Sequence, residues 1–124
     1  MNFARDVVDH APPARRALIE LARDGSRREW SFGEVADRSA RLAGTLIKHG
    51  VTEKDVVMTL IGNRPEWVLT MVACFRIGAV ALPCNEQLRA KDIRLRLDAA
   101  EPKLIIADER NLAELTAARP DCPT

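Results

Sequence analysis

From Asp55 to Ile61 the chain is apolar almost without a break, and two further runs repeat the pattern: Ala79-Val80-Ala81-Leu82-Pro83 and Lys103-Leu104-Ile105-Ile106-Ala107. A sheet open to solvent on one face alternates apolar and polar side chains, whereas an unbroken apolar strand is covered on both. Helical stretches separate the runs, the first closing at Gly78 and the second running from Ala90 to Ala100. The pattern predicts an α/β fold with a parallel βαβαβ core over residues 55–108. Such units gather ligands at the carboxyl ends of their strands.

Upstream, Phe3, Val7 and His10 recur at helical spacing and are stopped by Ala11-Pro12-Pro13, predicting a short N-terminal helix. Ala17–Leu21 and Arg27–Trp30 flank Asp24-Gly25, a β-hairpin signal because Gly tolerates the positive φ of a tight turn. Ser31-Phe32-Gly33-Glu34 fits a reciprocal capping box. The helix beyond it carries Val35, Leu42, Ala43, Leu46 and Ile47 on one side and ends at Gly50, a candidate left-handed cap.

Pro65 suits the first turn of the next helix, where its missing amide hydrogen costs nothing. Trp67, Val68, Met71, Val72 and Phe75 leave that helix almost no polar face, so a central, buried position is expected, with Trp67 and Phe75 in the core. Glu101-Pro102 ends the following helix. Either Asp108 or Asn111 is placed to cap a last one through Leu112 and Leu115. One domain over 1–124 is expected: helix, hairpin and capped helix in 1–54, the βαβαβ unit and final helix in 55–118, and a truncated connection in 119–124.

Composition narrows the function classes. The 124 residues are 47% hydrophobic and 30% charged with net charge +1, ordinary globular values for one modest core. Only 4% are aromatic, and there is neither a basic stripe nor a stacking platform, so nucleic acid is not an expected partner. No stretch approaches the roughly 20 apolar residues of a membrane span. The N-terminus lacks an apolar signal core, and a cytoplasmic protein is expected. Cys74, Cys84 and Cys122 match no metal or redox spacing.

Local chemistry is sparse. Neither G-x-G-x-x-G nor G-x-x-x-x-G-K-[ST] occurs. His10 and His49 stand apart from any nucleophile, and His49 has a helix-dipole reason for its place. Cys84, at a strand end, reads as a small buried side chain or a reactive thiol. Asp108-Glu109 after a strand reads as a ligand contact or as a helix cap. Arg89, Lys91, Arg94 and Arg96 read as a phosphate-attracting cluster or, with Asp92 and Asp98 interspersed, as a solvated helix face.

Several pieces together resemble an adenylate-forming enzyme of the acyl-CoA synthetase family, in particular its medium-chain branch. They are Asn2–His10, Trp30-Ser31-Phe32-Gly33-Glu34-Val35, Arg64-Pro65-Glu66-Trp67, Arg76-Ile77-Gly78-Ala79-Val80, Gln87-Leu88-Arg89-Ala90-Lys91-Asp92-Ile93 and Ala107-Asp108-Glu109. The resemblance implies a large N-terminal domain, of which this chain supplies the first portion, and a mobile C-terminal domain. It also implies ATP-driven activation of a medium-chain fatty or aromatic acid to an acyl-adenylate, then transfer to CoA, with Mg2+ accompanying the ATP.

The family's phosphate-gripping loop, magnesium-binding Glu, ribose-binding Asp and catalytic Lys are not in this sequence. No catalytic or metal-binding residue is therefore assigned, and the chain alone is expected to be inactive. The resemblance implies the acid, ATP and CoA as partners of the parent enzyme and the remainder of its own chain as partner of this portion; homo-oligomer formation is left open. The resemblance places Gln87 near bound CoA, while a loop Gln satisfied by backbone is the plain alternative. Acetyl-CoA synthetases place Arg residues after Ala-Asp-Glu to meet CoA phosphates, but here Leu112 and Leu115 fall there and only Arg110 is nearby. Alternative functions are an adenylating domain that loads a carrier protein and a non-catalytic interaction module.

Overall fold

The computed structural model describes all 124 residues. One turn of π-helix, Ala4–Val8, precedes β1 (Arg16–Leu21), β2 (Arg27–Ser31), α1 (Phe32–Lys48), β3 (Val56–Leu60), α2 (Pro65–Ile77), β4 (Val80–Pro83), α3 (Ala90–Ala100) and β5 (Leu104–Ala107). A 3-10 turn, Glu109–Asn111, then leads into α4 (Leu112–Ala118). The parallel sheet has the order β4-β3-β5, with Val57 opposite both Ala81 and Leu104.

The apolar run of β3 is explained by this central place. Val57, Met58, Thr59 and Leu60 are all fully buried. Successive side chains point to opposite faces of a strand. Val57 joins Ala43 and Leu46 of α1 and Ala73 and Cys74 of α2, whereas Met58 and Leu60 join Ile93 and Leu97 of α3 and Leu115 of α4. The two crossovers thus lie on opposite faces of the sheet. The chain leaves β3 toward one face and β4 toward the other, which opens a crevice between their carboxyl ends.

Local signals explain most of the remaining elements. β1 and β2 pair antiparallel around Gly25, whose φ is +86°, and Asp24 Oδ1 accepts from Ser26 N at 2.8 Å. Gly50 and Gly78 leave α1 and α2 with φ of +86° and +73°. Trp30 is buried with Ala4, Val8, Val35 and Val72, joining the hairpin and N-terminal turn to α1 and α2. The Arg28 guanidinium covers its ring at 4.0 Å.

Four expectations are corrected. The capping box is half made: Ser31 Oγ accepts from Glu34 N at 3.1 Å, but no return bond forms, because Ser31 is held in the hairpin opposite Arg16. The N-terminal turn buries Ala4 and Val8 rather than Phe3, which is 46% exposed; its wider winding shifts the inward face. Ile47 is 57% exposed, at the solvent end of α1. Trp67 and Phe75 are each 37% exposed and not core. In α2 Pro65, Thr70, Val72, Ala73 and Cys74 are buried, and Val68, Leu69 and Ile77 pack partly against the cores. A helix that is apolar all round does not declare which side will be covered.

Candidate functional site

The crevice is built from the segments that follow β3 and β4. Gly62, Asn63 and Trp67 form one wall and Cys84, Asn85 and Glu86 the other, around a cavity of about 260 Å³. The Glu86 side chain lies over Gly62, where an added Cβ would stand 2.8 Å from Glu86 Cδ. A second cleft of about 300 Å³ separates Ile19 and Leu21 of β1 from Arg64 and Trp67.

A polar network ties the three strand ends together. The Asp108 carboxylate is 5% exposed; Oδ2 accepts from Arg64 Nη1 at 3.1 Å and from Arg110 Nη2 at 3.3 Å. The Arg64 guanidinium first, then the bonds from Arg110, hold Asp108 below the usual carboxylate range against the opposing effect of burial. Arg110 Nη2 also lies 3.4 Å from Glu86 Oε2, and Glu114 Oε2 accepts from Ala90 N at 2.8 Å. Asn111 is buried, and its Nδ2 donates to the Glu86 carbonyl at 2.5 Å.

Gln87 sits on this braced segment. Its backbone N–H donates to Asn85 Oδ1 at 2.8 Å, while its side chain is exposed and makes no hydrogen bond within the chain. Of the two readings of Asp108, the structure shows a cap: Oδ1 accepts from Arg110 N at 3.5 Å, opening the 3-10 turn. Asn111 precedes α4 but spends its amide on Glu86 instead of on the helix.

The other candidates lie elsewhere or are already paired. His10 and His49 bond the carbonyls of Arg5 and Thr45 through Nδ1 at 2.7 and 2.9 Å. Arg94 is committed to Asp98 and Asp121, Arg89 to Glu114, and Arg96 to the Asp92 carbonyl, while Lys91 is exposed, so the basic run is a solvated helix face with three of its four cations paired. Burial pushes the Cys74 thiol up to about 11 and raises Cys84 and Cys122, each away from the reactive thiolate. Nowhere do three His, Cys, Asp or Glu side chains converge on a metal position. No helix is long and apolar enough to cross a membrane.

Sequence reasoning missed Glu86 and Glu114 and read Asn111 only as a helix cap. Their roles come from contacts 24 or 25 positions apart, between segments on either side of β3, and no local pattern signals them.

Comparison with known proteins agrees with this architecture. The family described as AMP-binding enzyme matches residues 5–124. Acyl-coenzyme A synthetase ACSM5, mitochondrial, of Rattus norvegicus is 35% identical over 133 residues, covering 99% of this chain and 23% of that protein. Acyl-coenzyme A synthetase ACSM4, mitochondrial, of Homo sapiens is 35% identical over 131 residues, covering 98% and 23%. The crystal structure of Brucella canis acyl-CoA synthetase superposes with a TM-score of 0.90 at 30% identity, over 99% of this chain and 23% of that one. A benzoate CoA ligase from Burkholderia xenovorans LB400 shares the fold, with a TM-score of 0.82 at 19% identity over 95% of this chain and 24% of that one. The chain thus spans 23% of the length of these curated relatives. With its parallel βαβαβ core, its crevice between β3 and β4, and a match over nearly its whole length, this chain belongs to the AMP-binding enzyme family.

Proposed function

We propose that the chain is the scaffold portion of an acid-CoA ligase that joins a medium-chain fatty or aromatic acid to CoA through an acyl-adenylate. The observation that carries the reading is the family match over residues 5–124 on a parallel βαβαβ frame. ATP and Mg2+ belong to the whole enzyme, and no residue of this chain is assigned to either. CoA is different. The Gln87 amide stands exposed beside the crevice with both its donor and acceptor free, which fits a ligand rich in amide and hydroxyl groups. Gln87 is therefore read as a CoA contact, one that binds and orients and moves no proton.

The exposed apolar side of α2 supports a scaffold role. Trp67, Phe75 and the outer residues of β1 form surface of the kind that a further part of the same protein covers. The test is to supply the full-length enzyme with ATP, Mg2+ and a panel of carboxylic acids. Pyrophosphate release should depend on the acid, and thioester formation on CoA. Adenylation without thioester formation, or transfer only to a carrier protein, would refute the ligase reading.

A further inference from the structure

We infer that Asn111 is a positioning residue for CoA binding, acting through the peptide plane that joins Glu86 to Gln87. The inference rests on the reading of Gln87 as a CoA contact. A peptide unit is planar, so fixing its oxygen and its nitrogen fixes the direction in which the next Cα projects. Here both ends are held. The oxygen of that plane, Glu86 O, accepts from Asn111 Nδ2 at 2.5 Å; the nitrogen, Gln87 N, donates to Asn85 Oδ1 at 2.8 Å.

Asn111 is well suited to act as the fixed end. It is 4% exposed, and its Oδ1 has no partner, so its amide is oriented by packing and by this one bond. It is the last residue of the 3-10 turn that Asp108 caps, and Asp108 is itself clamped by Arg64 and Arg110. Glu114, through the Ala90 amide at 2.8 Å, holds the far end of the same segment. The Gln87 side chain, by contrast, has no internal partner. The backbone sets the direction in which it leaves the chain, so a tilt of this peptide plane would shift the region its amide can reach away from a ligand.

The test uses the full-length enzyme. Asn111→Asp keeps the shape but replaces the donor with an acceptor facing Glu86 O. It should raise the KM for CoA by about five- to tenfold, the size of one lost hydrogen bond, while kcat and the KM values for ATP and acid stay within about twofold. Gln87→Ala should raise the KM for CoA to a similar degree. The double variant should be no worse than Gln87→Ala, because Asn111 acts through that side chain. If Asn111→Asp fails to fold, Asn85→Ala releases the other end of the plane and should reproduce the CoA-selective effect.

Three results would overturn the inference while leaving the Gln87 reading standing: an unchanged KM for CoA in the foldable variant, a uniform rise in all three KM values, or additive effects in the double variant. An unchanged KM in Gln87→Ala would instead remove the reading itself, and the positioning role with it.

Discussion

Arg76 grips Asp9 across 67 positions of sequence: Nη1 and Nη2 donate to the two carboxylate oxygens at 2.6 and 2.8 Å. Nη2 also reaches the Oγ of fully buried Ser39 at 3.2 Å. One guanidinium at the end of α2 thereby joins the N-terminal turn, α1 and α2.

This pair makes a pH prediction. The bonds from Arg76 hold Asp9 below the usual carboxylate range, against a smaller opposing effect of burial. A carboxylate whose pKa is lowered on folding stabilises the native state above its unfolded pKa of about 4. That contribution is lost as the pH falls through the lower, folded value. Asp9→Asn should therefore lower the denaturation midpoint at neutral pH, and the gap to wild type should close as the pH falls below the unfolded value of about 4. Urea titrations across that range read the difference directly, and a constant gap would argue against the pair.

Two glycines should respond in opposite senses. At Gly78, φ is +73° and an added Cβ would stand 2.9 Å from Glu53 Cγ, so Gly78→Ala should destabilise by about 1–2 kcal/mol. Gly44 lies inside α1 with nothing within 4 Å of the position, so Gly44→Ala should stabilise by about 0.5–1 kcal/mol. Chemical denaturation of both variants checks the contrast.

At the carboxyl end of the central strand, Leu60 is fully buried opposite Ala107 of β5 and packs with the α3 and α4 residues. Leu60→Ala should cost about 2–5 kcal/mol through lost transfer energy and the cavity left behind. An unchanged melting curve would contradict the assignment of β3 as the two-sided core strand.

Trp67 offers a comparison between the chain and the whole enzyme. Because it is 37% exposed here, Trp67→Ala should cost the 124-residue chain roughly 2 kcal/mol, below the usual 3–5 kcal/mol for a fully buried aromatic. Covering by the remainder of the enzyme should restore the larger value in the full-length protein. Equal losses in both would show that nothing covers this side of α2.

Much of the frame was legible because its causes are local. β3 announced itself by burial on both faces, and Pro65, Gly50 and Gly78 marked helix ends through backbone geometry. Of the candidate site, only Gln87 was reachable from the sequence, and only through the family resemblance. The bond from Asn111 to Glu86 depends on β4 and β5 flanking β3, a placement the order of elements does not contain. The exposure of Trp67 and Phe75 was hidden for a related reason: the sequence of α2 is apolar on every side, and only its neighbours select the inner one.

On the proposed reading, these 124 residues frame a ligase and perform none of its chemistry. This is tested most directly by measuring pyrophosphate release from the isolated chain and from the full-length enzyme, each with ATP, Mg2+ and the same acids. Acid-dependent release is expected from the full-length enzyme and none from the chain. Sustained turnover by the chain alone would contradict it.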